Sequence, residues 1–360
     1  MGASQIKSDE VVVFFPTYAY LDAQGTNWIL PIHGLIFEPQ EDSVKRALLI
    51  AGVRKQLKVE QGTPEANRLA ERMRLFLVDN ERGKQISIRI GSEVYQAGTS
   101  GANGHFQAEL RLAVGDVKRL PGNPEANSRW ITFRAATREG DRRRFDGRAQ
   151  LIGQTGLSIV SDIDDTIKHS QVTDRKALMR NTFLKEYQAV PGMAELYRVA
   201  AERGAAFHYV SGSPWQLYRP LEELRGAAGF PAGSFHLKSF RLKDSSALAL
   251  WKSQEATKLA AMGPILERFP KRKFILIGDS GEQDPEIYAK IAREHPEQIV
   301  AVFIRNLGDQ AAGNERFRTA FEGIERQRWE LFGHPEELRE RVVELAETHC
   351  STVSPQGILE

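Results

Sequence analysis

The chain has 360 residues, 41% of them apolar and 27% charged, which is ordinary globular composition and enough for two domains with cores of their own. Forty-nine basic against 47 acidic side chains leave a net charge of +2, so global electrostatics speaks against a nucleic-acid binder. One cysteine, Cys350, excludes an intrachain disulfide and a thiolate metal cage and fits a reducing, cytoplasmic compartment.

The start, MGASQIKSDEVVVFFP, makes a poor secretory signal, because its apolar run is short and acids precede it. Ser4 is misplaced for a myristoylation start at Gly2. No segment approaches 18 consecutive apolar residues, so no transmembrane segment is expected. Val11 to Phe15 and Trp28 to Phe37 read as strands around a turn at Asp22 to Gly25. A helix is expected between Asp42 and Val59, with apolar spacing at Leu49, Val53 and Leu57, and a second after Pro64 to about Met73. Leu75 to Val78, Gln85 to Ile90, His105 to Leu112 and Trp130 to Ala135 then predict strands, separated by turns at 98–104 and 121–128. Short strands with turns between them predict a β-rich, sandwich-like domain over residues 1–152. His33 and His105 fall in strands and read as core or edge residues. Two basic groups stand out: Lys45, Arg46, Arg54, Lys55 and Lys58 beside the first helix, and Arg138, Arg142, Arg143, Arg144 and Arg148 in an expected hairpin. Each reads either as a contact for an anionic membrane or as a solvated charged face.

From about Gly153 strands alternate with helices, which predicts a parallel, doubly wound α/β sheet covered on both faces, over residues 153–312. The strands are Leu157 to Ser161, Ala206 to Val210, Phe235 to Leu237, Phe274 to Ile277 and Ile299 to Ile304. The helices are Arg175 to Tyr187, Met193 to Arg203, Gln216 to Leu224, Ser253 to Arg268 and Asp284 to Glu294. The stretch from Glu315 to Thr348, within an extension over 313–360, has helical spacing at Phe317, Phe321, Ile324, Trp329 and Leu331 and predicts a helix packed back on the sheet.

Within this pattern the stretch SIVSDIDDTIK, from Ser158, organises the rest. A short apolar strand ends abruptly in Asp162, Asp164 and Asp165, and the C-terminal ends of parallel strands are where such sheets bind ligands. On a continuing strand Asp162 and Asp164 share a face, where two close carboxylates need a cation or a proton between them. Other strand ends supply Ser211, Asp279 and Asp284, and the helix before the fourth strand supplies Lys258. The set suits phosphoryl transfer. Asp162 is a nucleophile, Asp164 an acid and then a base, Ser211 and Lys258 hold phosphate oxygens, and Asp279 is a hard ligand for Mg²⁺. A carboxylate about 4 Å from a dianionic phosphate is opposed by roughly 8 kcal/mol at an effective dielectric near 20, so cations are required.

The order DxDxT, strand-end Ser, helical Lys and GDSGxxD resembles the haloacid-dehalogenase (HAD-like) superfamily of phosphatases. More narrowly, SDIDDTIK, PGMAELYRVAAERG, YVSGSPWQLY, FHLKSFRLKD and FPKRKFILIGDSGEQDPEIYAKIA resemble the actin-patch-associated phosphatidate phosphatase catalytic domain, a relative of lipin, over about Ser158 to Arg305. The resemblance implies an aspartyl-phosphate at Asp162. It implies Mg²⁺ on Asp162, Asp279 and the backbone carbonyl of Asp164, with Asp284 orienting a metal-bound water, and Thr166 bracing the loop. It also implies phosphatidate as substrate, or another phospholipid phosphomonoester, met by peripheral membrane contact. Lys252 competes with Lys258 for the phosphate-binding role, and Lys238, Arg241 and Lys243 are candidates for a headgroup. The insertion from His169 to Val190 is short for a phosphatase cap, which predicts an open site. Two rival readings are a phosphatidate sensor without turnover and a HAD-like phosphatase acting on another phosphomonoester. The GDSG run also occurs in serine proteases, but here it follows an α/β strand, so Asp279 and not Ser280 is the expected site group.

Overall fold

The computed structural model describes residues 2–39, 44–120, 130–239, 254–308 and 314–350. In its first part, two-residue alternation sets the strands: the four residues of β1 (Val11–Phe14) alternate between half-buried and buried. β2 (Thr17–Leu21) and the long β3 (Asn27–Glu38) follow, and β3 pairs antiparallel with β7 (His105–Ala113) from Asn27–Ala113 to Leu35–His105. The strand order is β1-β3-β2-β9-β8-β5-β6, with β5 (Gln85–Ile90), β6 (Glu93–Thr99), β8 (Trp130–Ala135) and β9 (Asp146–Leu151). The ladder folds over itself, so Trp28 and Leu30 of β3 share one core with Ile88 of β5 and Phe133 of β8. Phe14 closes that core edge-on between Phe106 and Phe133, at 5.6 and 5.2 Å. This is the sandwich-like arrangement expected.

Some local expectations fail for physical reasons. Leu75 to Val78 is not a strand. Helix α2 (Pro64–Arg74) winds down through it, with Leu75, Phe76 and Leu77 donating to the carbonyls of Arg72, Met73 and Arg74, and only β4 (Asp79–Asn80) pairs with β3. β2, β6, β9 and the short α3 (Val114–Arg119) had no strong pattern of their own; β6 is fixed by a hairpin with β5, and β2 and β9 also by pairing with each other across the chain. The arginine-rich segment is partly structural: Arg143 donates to Asp141 and to the carbonyls of Lys7, Ser8 and Glu10, tying down the amino-terminal segment. The turn at 121–128 lies outside the described residues. The first helix, α1, spans Val44–Gln56.

The second sheet has the order β12-β11-β10-β13-β14-β15, parallel throughout: β10 (Leu157–Ser161), β11 (Ala206–Pro214), β12 (Ser234–Lys238), β13 (Lys273–Asp279), β14 (Ile299–Arg305) and β15 (Trp329–Phe332). One face packs under α5 (Met193–Glu202), α6 (Tyr218–Ala228) and α10 (Arg339–Cys350), the other under α7 (Gln254–Arg268), α8 (Asp284–Glu294) and α9 (Glu315–Ala320). All five residues of β10 are buried because helices cover both faces, which is why its sequence reads as a run rather than an alternation. The stretch after 313 is not helical throughout. Trp329–Phe332 adds a sixth strand beside β14, and the Trp329 ring stacks on Phe321 at 4.3 Å. The helical spacing ends where that stack and the β14 edge compete for the same side chains.

The two sheets share packing. Phe15 lies 4.1 Å from Trp215, and Phe235 N–H donates to the Pro16 carbonyl. His33 and His105 sit here. Their rings are bonded to each other, Nε2 to Nδ1 at 3.0 Å, and His33 meets Trp215 edge-on at 4.6 Å. Burial holds His33 down to about 3 and His105 to about 4; it does the same to His236, at about 4. Such depressed values mean the unfolded chain binds the protons better. The stability these rings contribute is full above about pH 6.5 and is lost as pH falls through 4. Urea denaturation is therefore expected to show stability falling steeply from pH 6.5 to 4, and His33→Gln with His105→Gln should flatten that slope. An unchanged slope would remove this interface as the acid-sensitive element.

Candidate active site

The site lies at the C-terminal ends of β10, β11 and β13. β10 runs one hydrogen bond further, Asp162 N–H donating to Ile277 O at 2.8 Å, and then turns. The turn is tight: Ile167 and Lys168 both donate back to the Ile163 carbonyl, and Asp165 takes a left-handed φ of +54°. That conformation costs a non-glycine residue on the order of 1 kcal/mol. It is held by the Asp165 carboxylate, which accepts from Ser170 N–H at 2.8 Å and Val172 N–H at 2.6 Å, and by Arg305, which donates to its carbonyl. Asp165 therefore shapes the loop.

Because the strand stops at Ser161, Asp162 and Asp164 do not share a face. Asp162 turns to one side. Lys258 Nζ lies 2.7 Å from its Oδ1, and Thr166 donates to its Oδ2 at 3.4 Å, the bracing expected of that residue. Lys258 also pairs with Asp284, and with Glu282 at 3.7 Å. Asp279, at the tip of β13, completes the group: Asp162, Asp279 and Asp284 each offer a carboxylate oxygen within 4.8 Å of the others. Gly278 is required beside them, since a Cβ there would meet Asp284 Oδ2 at 2.2 Å.

Asp164 turns the other way. Ser211 and Ser213 donate to its Oδ2 at 3.1 and 3.0 Å, and Lys168 and Ser170 to its Oδ1, each at 2.7 Å. Ser211 Oγ in turn accepts from Ser213 N–H. The two groups expected to hold phosphate, Ser211 and Lys258, are thus on opposite sides of the loop, one against Asp164 and the other against Asp162. Lys168, Ser170, Ser213 and Glu282 were missed in the sequence. Ser213 was accessible, being two residues from Ser211 on a strand and so on its face. Lys168 and Ser170 were not, because the turn that returns them to Asp164 leaves no periodic signal. Lys252, Arg241 and Lys243 lie outside the described residues.

The electrostatics divides the same way. Burial pushes the Asp162 carboxyl well above the usual range; Lys258 opposes this, and Asp284, Glu282 and Asp279 add to it. Burial, then Asp284 and Glu282, push Asp279 up as well. Burial works against the Lys258 charge, but Asp162 and Asp284 outweigh it and hold the ammonium firmly protonated. Asp164 is the reverse of Asp162: burial would raise it, but the Lys168 charge and the bonds from Lys168, Ser170 and Ser213 bring it to about 2. A buried cluster carrying more carboxylates than cations is short of positive charge. Asp279 Oδ2 is buried with no hydrogen-bond partner, which fits an oxygen kept for a hard divalent cation.

The insertion contains α4 (Arg175–Phe183) and closes at its base through His169 N–H to Gln188 O and Val190 N–H to Ile167 O. It was expected to leave the site open, yet Asp162, Asp164, Ser211, Lys258, Asp279 and Asp284 are each 5% exposed or less. Lys168 and Ser170 bond to Asp164, and Gly281 N–H donates to Asp279. A cleft of about 890 Å³ lies elsewhere, between the first sheet and α6. Three of its arginines pair with Asp146 and Glu222.

A parallel sheet with its first strand central, an Asp-x-Asp loop on that strand and further acids at the end of the neighbouring strand β13 defines a HAD-like α/β fold. Residues 157–306 match the family described as "Phosphatidate phosphatase APP1, catalytic domain". Phosphatidate phosphatase APP1 of Saccharomyces cerevisiae is 38% identical over 161 residues, and an uncharacterized protein of Schizosaccharomyces pombe is 32% identical over 167. These matches cover 44% and 45% of this chain and 27% of each relative, so the chain spans about a quarter of their length. Among solved structures, a cytosolic 5'-nucleotidase IIIB bound to cytidine matches at 11% identity over 53% of this chain and 85% of that one. Its TM-score of 0.34 is too low to bear on the fold, which rests on strand order and strand ends.

Proposed function

We propose that this chain is a Mg²⁺-dependent phosphatidate phosphatase, converting phosphatidate and water to diacylglycerol and phosphate. In this reading residues 153–312 hold the chemistry, while 1–152 and 313–360 hold none. The observation that carries it is Asp162, a strand-end carboxylate beside a buried lysine and two further acids, within a segment that matches this family.

An Asp162 oxygen attacks the phosphorus, the bond from phosphorus to the glycerol oxygen breaks, and the leaving oxygen takes its proton from Asp164. Asp164 rests ionised, and a phosphate charge placed beside it raises its proton affinity, so it can load before it donates. In the second half it takes a proton from water, the water oxygen displaces Asp162 from phosphorus, and phosphate leaves. Lys258 favours the ionised form of Asp162 that attacks, against the burial that opposes it. Ser211 and Ser213 can turn from Asp164 to the phosphoryl oxygens. Asp162, Asp279, Asp284 and the Asp164 carbonyl would hold Mg²⁺, which when bound supplies positive charge against the phosphoryl oxygens. The proposed setting is the cytoplasmic surface of a membrane. No helix among the described residues is long and apolar enough to cross one.

Mg²⁺ is expected to raise the Tm of the wild type and not that of Asp279→Asn. Without metal, Asp279→Asn should melt above the wild type. Its carboxyl is raised in the fold, so the stability it contributes is lost as pH rises through that raised value, and the advantage of Asn grows with pH. Differential scanning fluorimetry with and without Mg²⁺ at two pH values checks this. A wild type that ignores Mg²⁺ would sink the metal assignment.

A further inference from the structure

Among the described residues, the exposed large hydrophobic side chains are Val44, Leu48 and Leu49, at 74%, 67% and 42%, and all three are on α1. The inner stripe of that helix, Ile50, Val53 and Leu57, already packs toward Leu69, Met73 and Phe183. The opposite stripe, Val44, Leu48, Ala51, Gly52 and Lys55, is exposed and uncharged until its last member. A helix apolar on both sides calls for cover on both. The charge around it says what kind. From Val44 to Val59 the sequence has five basic residues and no acid, against a net +2 for the whole chain. Arg46 is taken by Asp79 at 2.5 Å, while Lys55 and Lys58 are exposed at the end of the helix.

The helix is also tied to the site. α1 packs on α2, and α2 holds the insertion: Arg68 donates to Leu184 O, and Arg72 to Thr182 O and over the Tyr187 ring at 4.1 Å. Tyr187 lies against Lys168, which is bonded to Asp164. We infer that the outer face of α1 docks on an anionic phospholipid bilayer, Val44, Leu48 and Leu49 entering the interface and Lys55 and Lys58 meeting the headgroups, so that the insertion beside Asp164 is brought to the lipid surface. This rests on the phosphatidate reading for its purpose, but its test does not.

The probe is flotation of the full chain with vesicles of phosphatidylcholine, with or without phosphatidylserine, neither containing phosphatidate. The wild type is expected to float with the anionic vesicles and weakly with the neutral ones. Leu48→Ser with Leu49→Ser should lose roughly tenfold or more of that binding, and Lys55→Glu with Lys58→Glu a comparable part, both with Tm unchanged. Hydrolysis of monomeric short-chain phosphatidate should be unaffected by the leucine pair. The inference is overturned if the wild type ignores anionic vesicles or if both variants bind as it does. It is overturned equally if the leucine variant changes the sedimentation mass, which would make the face a contact between copies. Binding without any hydrolysis would sink the phosphatase reading and leave this one standing.

Discussion

Asp162→Asn is expected to abolish phosphate release from phosphatidate, by about 10⁴-fold or more, as loss of a nucleophile does in other covalent hydrolases. The fold should survive. Asn fills the same space, Thr166 can still donate to its oxygen, and one member is removed from a group in which three other carboxylates crowd Lys258 and each other. Because burial already opposes charge at Asp162, the melting temperature should not fall. Acid-quenched enzyme incubated with labelled phosphatidate should retain label on the protein in the wild type and none in the variant. Label at another residue, or turnover within tenfold of the wild type, would remove Asp162 from the centre of the chemistry.

Lys258→Met is expected to do more damage to the fold than any surface change. The ammonium is fully buried and answers Asp162, Asp284 and Glu282 at once. Methionine is of similar length and apolar, so what is lost is charge. Deleting one partner of a buried ion pair leaves the rest uncompensated, at about 3–5 kcal/mol. Urea denaturation should show that loss in metal-free protein, and Mg²⁺ should recover part of it, since a cation bound to the three aspartates replaces some of the missing charge. Activity should fall with it even when the protein is kept folded. A variant as stable as the wild type without metal would mean that the acids near Lys258 are neutral in the resting protein.

What was legible in the sequence was what local chemistry decides. The strands β10 and β13 are mostly apolar runs and each stops at an acid, so the edge holding Asp162 and Asp279 could be read. The β-rich part was harder. β2 and β9 lie far apart in sequence and pair only through the fold, and β15 is a strand because β14 offers an edge. The site was read as one cluster and is built as two. Asp162 looks to Lys258 and Asp284, and Asp164 to Ser211, Ser213 and Lys168, because the left-handed turn at Asp165 separates them. No spacing rule foretells a positive φ at an aspartate. The closed surface over the carboxylates was missed for the same reason, since insertion length says nothing about how tightly a turn folds back.

The most direct test of the phosphatase reading is phosphate release from phosphatidate in detergent micelles, followed with Mg²⁺ and again after chelation. The expected result is steady release that stops with the chelator, resumes with added Mg²⁺ and is absent in Asp162→Asn. Phosphatidate that is bound but left intact in the presence of Mg²⁺ would contradict it and make the chain a binder of the lipid.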